Sequence, residues 1–135
     1  MTSQDNLRLA QRFLDQLGTG AGPDEIAALC TPDLDWNIPG DSGVLPWVGH
    51  KTGSAAIADF VRDTQTMIQR ESLEIHDVLA SDERAVILGH LKTRITATGR
   101  LIDSAFGIVL TFAGDKIASF LMLEDSFATS KAAQR

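Results

Sequence analysis

Leu34-Asp35-Trp36-Asn37-Ile38-Pro39 is the stretch on which the fold turns. Leu34, Trp36 and Ile38 alternate with Asp35 and Asn37, which is the period of a strand with one buried face. Pro39-Gly40 stops it, the loop from Asp41 to Lys51 follows, and a helix opens at Gly53-Ser54-Ala55-Ala56-Ile57. Strand, long loop, helix is the order of a pocket wall, its mouth and its lid.

Upstream, Met1 to about Asp5 reads as a loose end. Leu7, Ala10, Phe13, Leu14 and Leu17 then recur at three- and four-residue spacing, the mark of an amphipathic helix. Gly18, Gly20 and Gly22 end it. Pro23, followed by Asp24 and Glu25, suits the first turn of a second, short helix with Ile26, Leu29 and Cys30 on its buried face. Downstream, Ile57, Phe60, Val61, Thr64 and Ile68 share one side of a third helix. From Glu71 the pattern turns to strands: Ser72–Ala80, Ala85–Thr98, Leu101–Phe112 and Lys116 to about Phe127. Ile102, Ser104, Phe106, Ile108, Leu110 and Phe112 lie on one face of the third of these; Phe120, Met122 and Glu124 share a face of the fourth. Gly114-Asp115 is a hairpin turn. Three helices followed by strands with one strongly apolar face predict an α+β fold, a cone of helices packed on a curved antiparallel sheet with a cavity at its wide end. The expected organisation is one domain over residues 1–135, with a loosely ordered tail from about Thr129.

Composition narrows the function. The chain has 135 residues, 44% hydrophobic and 22% charged, enough for one core. Its net charge of −6 and the lack of a Lys/Arg cluster argue against nucleic acid. The longest apolar-leaning run, Ala105–Ala113, is too short to span a bilayer, and no secretory signal is visible. Cys30 is the only cysteine, so no internal disulfide can form, and no Cys/His group has zinc spacing. Cys30 reads as a small core residue. A cytoplasmic protein without metal or cofactor is the expectation.

The element order resembles the NTF2-like superfamily of ketosteroid isomerases, SnoaL-type polyketide cyclases and limonene epoxide hydrolases. Gln11-Arg12-Phe13 is similar to the isomerases' first-helix Gln-Arg-Tyr. Gly53-Ser54-Ala55-Ala56-Ile57-Ala58-Asp59-Phe60 is similar to their Gly-Thr-Ala-Ala-Ile-x-Glu-Phe. Ile26–Pro39, Gly99–Phe112 and Lys116–Met122 match further helix and strand segments. The isomerase chemistry needs an Asp base and an oxyanion hole of Tyr and protonated Asp. By the resemblance, those places fall at Ile38, Phe13 and Ile108, and the chain has no tyrosine. Removing one oxyanion donor typically costs about 10²–10³ in rate, so losing all three groups argues strongly against that mechanism. The epoxide hydrolase set is also missing: its Arg-x-Asp falls near Arg94-Ile95-Thr96 and its second aspartate at Met122. The SnoaL-like group remains, which the loop Leu45-Pro46-Trp47-Val48-Gly49-His50 also resembles.

Glu124 is the leading candidate for chemistry, because a carboxyl group on an apolar face has a raised pKa suited to general acid/base work. A solvated position at the cone's rim is the competing reading. His50, in the mouth loop, is the candidate helper, against a plain exposed histidine. Asp35 and Asn37 alternate outward, and Asp125 is placed to cap or pin the tail. Phe13, Trp36, Ile38, Trp47, Phe60, Phe106, Ile108, Phe120 and Met122 are the expected ligand-lining residues, although the same side chains would serve a filled core. Three functions follow: an isomerase, cyclase or dehydratase acting on a small apolar molecule by acid/base chemistry; a non-catalytic module binding a hydrophobic ligand; or a dimeric interaction protein. The resemblance implies a homodimer through the outer sheet face, where His90, Lys92, Arg94 and Thr96 suggest a wet interface.

Overall fold

The computed structural model describes residues 2–41, 43 and 45–134; Ser42 and Val44 of the mouth loop lie outside that range. Helix α1 (Ser3–Thr19) starts earlier than the pattern suggests, because Thr2 and Asp5 form a capping box. Asn6, fully buried, donates from Nδ2 to the Ser81 carbonyl at 3.0 Å and ties α1 to a distant turn. Helix α2 (Pro23–Ala27) is short, with Pro23 in its first turn. Strand β1 (Cys30–Ile38) begins at Cys30, so Cys30 belongs to the sheet and not to α2. The thiol stays in the core, where burial pushes its pKa to about 11 and keeps it neutral.

Strand β2 (Gly49–Thr52) forms inside the expected mouth loop and pairs antiparallel with β1. Helix α3 (Ala55–Met67) ends at Met67, and Ile68 already has extended backbone. Strands β3 (Ile68–Ala80), β4 (Arg84–Ile95), β5 (Leu101–Ala113) and β6 (Lys116–Glu124) follow as antiparallel neighbours. The sheet order is β2-β1-β6-β5-β4-β3, and the β1–β6 pair is parallel, the one departure from the expected antiparallel sheet. The sheet is curved and unclosed, with helices on its concave face. Two irregularities in β3, at Arg70/Ser72 and Ile75/Asp77, bend it. Gly89 allows the bend: a Cβ there would lie 2.2 Å from the Glu74 carbonyl and 2.8 Å from the Phe106 ring.

The chain's last segment is a helix, α4 (Ser126–Ala133), with Thr129 and Ala132 buried. A polar, short segment of this kind predicts a frayed tail. Fixed partners at both ends overcome that. Asp125 caps the start, accepting from the Ala128 amide at 3.0 Å. Thr98 donates to the Ala132 carbonyl at 2.6 Å, and Arg100 to the carbonyls of Lys131 and Gln134 at 3.0 Å each.

Candidate active site

The concave face of the sheet and the inner sides of α1 and α3 enclose a cavity of about 110 Å³. Ile38 and Trp47 line it from β1 and the loop beyond, Phe60 from α3, Phe106 and Ile108 from β5, and Phe120 and Met122 from β6. Parity explains this: β5 buries Ile102, Ser104, Phe106, Ile108 and Leu110, every second residue.

Phe13 and Trp36 stand elsewhere. Both are fully buried behind the cavity wall. Trp36 is the register partner of Phe120 and stacks on it, ring centroids 4.4 Å apart and 8° from parallel. Phe13 packs against Phe120 too, ring centroids 6.0 Å apart and tilted by 57°. Phe120 therefore faces the cavity and shields the other two, while Leu14 and Leu17 present α1 to it. Trp36 instead fixes the wall: its indole N–H donates to the Trp47 carbonyl at 3.0 Å, and Trp47 stands edge-on to Phe60.

Glu124 lines the same cavity, half-buried, at the end of β6. Burial raises its pKa; a hydrogen bond from Thr129 opposes the rise and the charge of Asp125 adds to it. Its backbone is held on both sides. The Asp125 amide donates to Ser104 Oγ at 3.0 Å, and Ser104 donates to the Ala105 carbonyl at 2.7 Å. Asp125 then caps α4, and the Thr129 hydroxyl donates to its carbonyl at 3.1 Å. Strand end and helix start thus form a rigid mount for one carboxyl group.

His50 does not join it. It lies on edge strand β2 opposite Asn37, and its Nε2 pairs with Asp35 on the solvent side, both side chains more than half exposed. Strand alternation turns Asp35 outward as expected, and β2 pairing carries His50 with it. His90 pairs with Asp103 on the outer face of β4 and β5, and His76 lies beside Glu74 at 3.4 Å. Among the described residues no histidine lines the cavity.

The sequence pattern misses four polar groups that do line it: Arg70 and Ser72 on β3, Thr93 on β4 and Thr129 on α4. Arg70 is the register partner of Thr93, on the inner side of β3. Desolvation lowers its pKa. Among the described residues no group of His, Cys, Asp and Glu is arranged to hold a metal ion. Among them, too, no helix is long and apolar enough to cross a membrane.

The SnoaL-like domain family matches residues 10–120 of the chain. Solved structures agree in fold. An NTF2-like protein from Burkholderia xenovorans is 25% identical with a TM-score of 0.88, covering 99% of each chain. A putative isomerase from Rhodopseudomonas palustris is 20% identical with a TM-score of 0.78, covering 93% of this chain and 95% of its own. TerC, co-crystallised with polyporic acid, is 18% identical with a TM-score of 0.77, covering 97% and 99%. No curated protein matches the chain.

Proposed function

The chain belongs to the SnoaL-like domain family, within the NTF2-like superfamily, and on that footing we propose that it is an acid/base enzyme acting on a small apolar organic molecule. The reaction class is proton transfer at carbon or oxygen, as in isomerisation, cyclisation or dehydration, with Glu124 as the group that moves the proton. One observation supports the reading: a single carboxyl group, next to a backbone fixed at the junction of β6 and α4, lines a cavity walled by aromatic and aliphatic side chains. Burial keeps that carboxyl protonated to higher pH than an exposed glutamate. It can then serve as acid or base without a cofactor. Thr129 is the positioning residue, through its hydroxyl's bond to the Asp125 carbonyl beside Glu124.

Carbon-acid exchange tests this whatever the product. The protein is incubated in deuterium oxide with small cyclic ketones and unsaturated acids, and deuterium uptake at the α-carbon is followed by mass spectrometry. Uptake by the wild type, cut at least about tenfold in Glu124→Gln, is the expected result, because general acid/base groups typically contribute 10²–10⁴. An equal rate in the variant removes Glu124 from the role.

A second reading is a binding module without turnover. It is favoured by the apolar residues at the three positions where the resemblance places isomerase chemistry, Phe13, Ile38 and Ile108, and by the distance of His50 from the cavity. Saturable ligand binding with no exchange in any candidate would select it. TerC, which shares this fold, has been co-crystallised with polyporic acid. For the outer face of the sheet we infer a second copy of this chain as the partner.

A further inference from the structure

The cavity contains a cation that the protein itself leaves unused. Arg70 lines it from β3, and among the described residues its guanidinium makes no ion pair and no hydrogen bond. Arg62 is held by Asp59, Arg84 by Glu83, Arg94 by Glu71 and the Gly99 carbonyl, and Arg100 by the end of α4; Arg8 and Arg12 also have no partner among the described residues, but they are exposed on α1 and do not line the cavity. A guanidinium presents five donors and stays charged, and here no protein group among the described residues takes them up, which leaves them open to an acceptor entering from the mouth. In a chain of net charge −6, one cation retained at such a place stands out. Glu124 is not its partner. The two line the same cavity but form no ion pair, and the Arg70 charge does not figure among the causes of the Glu124 shift.

Size gives the second constraint. At about 110 Å³ the cavity is of the same order as the roughly 150 Å³ engineered apolar cavity that takes up benzene. With its open side along β3 it suits a ring whose substituent reaches toward the mouth. Leu73 and Ile75, 48% and 39% exposed, extend the apolar lining outward along β3 past Arg70. Arg70 is exposed to solvent, so it stands at the mouth and not at the floor.

From these placements we propose that the cavity takes a single-ring organic acid, its ring among the Phe60, Phe106 and Phe120 side chains and its carboxylate paired with Arg70. The proposal rests on the reading of this cavity as a ligand site and adds the chemical class of the ligand. Arg70 fixes one end of the molecule, and Glu124 meets the other part of it as the proton-transfer group. A carboxylate matches the planar fork of a guanidinium with two parallel hydrogen bonds, whereas a neutral amide of equal shape matches it with one acceptor.

Benzoate and benzamide, equal in shape and different in charge, test it by ligand-observed NMR titration. Wild type should bind benzoate about tenfold more tightly or better, the usual size of a hydrogen-bonded charge pair. Arg70→Met should lose that preference, weakening benzoate far more than benzamide, and Arg70→Gln, which keeps a polar head, should likewise no longer favour benzoate. Arg70→Lys should retain part of the preference. Thermal unfolding supplies the independent readout: Arg70→Met should be at least as stable as wild type, because no native partner is lost. A large drop in melting temperature would show Arg70 to be a structural residue and overturn the proposal. Equal binding of the two probes by wild type would also overturn it, while leaving the cavity a ligand site. Binding of neither at millimolar concentration would overturn both readings.

Discussion

Glu124 keeps its place in the cavity under a condition set by pH. Its folded pKa is raised by burial, so between the ordinary glutamate value and the raised one the folded chain holds a proton that the unfolded chain has lost. Where the folded state binds more protons, stability falls as pH rises. The burial penalty is therefore absent below the ordinary value, grows through that window, and is complete above the raised pKa. Glu124→Gln removes the ionisable group and should gain stability relative to wild type across the same window. Urea unfolding of both proteins at a series of pH values from about 4 to about 7 measures it. A difference between them that does not change with pH would show that the carboxyl is solvated. Glu124 is legible in the sequence because strand parity puts it with Phe120 and Met122 whatever the register. Arg70 is not. Phe60, Val61, Thr64 and Ile68 continue a helical spacing with no glycine or proline between helix and strand, which hides that β3 starts at Ile68. A boundary misplaced by a few residues is enough to keep a cavity arginine out of sight. Phe13 and Trp36 show the opposite error, since burial of a ring does not tell which of two stacked rings meets the cavity.

At the scale of elements, the junction of β6 and α4 decides how well Glu124 is held. Asp125 stands directly before Ser126-Phe127-Ala128, a start signal for a helix, but α4 has no strong apolar stripe to announce it. Its stability comes from partners far away in the chain, Thr98, Arg100 and Ser104, which no local pattern contains. Asp125→Ala should remove the cap and cost about 1 kcal/mol. The more telling effect is local: hydrogen exchange in residues 126–133 should speed up while that in β4 and β5 stays unchanged. Exchange rates in α4 equal to wild type would mean that Thr98 and Arg100 suffice and the cap is idle. The same reasoning explains β2. A four-residue edge strand is held by β1 and by Trp36 fixing the loop before it, so its residues look like loop in sequence. For that reason the sequence pattern places His50 at a mouth, whereas its pairing with Asp35 is a consequence of the strand.

For the molecule as a whole, the concave face is filled by helices and the cavity, which leaves the convex face to account for. There the register brings Leu88, Gly107 and Leu123 side by side, with Val86, Val109 and Leu121 in the next row. Leu79, Leu88 and Leu123 are 58%, 40% and 51% exposed, so the patch is open to water in one copy of the chain. Further along the same face, His90 is paired with Asp103 and Arg94 with Glu71. Those charges are satisfied within the chain, and Thr96 lies beyond the end of β4. The polar residues thus form a border, and the leucines around Gly107 form the centre of the proposed contact. Gly107 leaves the floor of the patch low between two leucines, since a Cβ there would touch Leu88 at 3.5 Å. Burying a leucine side chain contributes about 1.5–3 kcal/mol, so three of them paired across a two-fold axis can supply much of what association requires. Light scattering at micromolar concentration should give the mass of a dimer, and Leu88→Lys with Leu123→Lys should give that of a monomer. The doubly substituted chain should keep the wild-type preference for benzoate, because neither leucine lines the cavity. A wild-type monomer would leave the convex face without its proposed partner. Loss of benzoate binding on going to monomer would place part of the site under the control of the dimer, against the separation of faces that the sheet imposes.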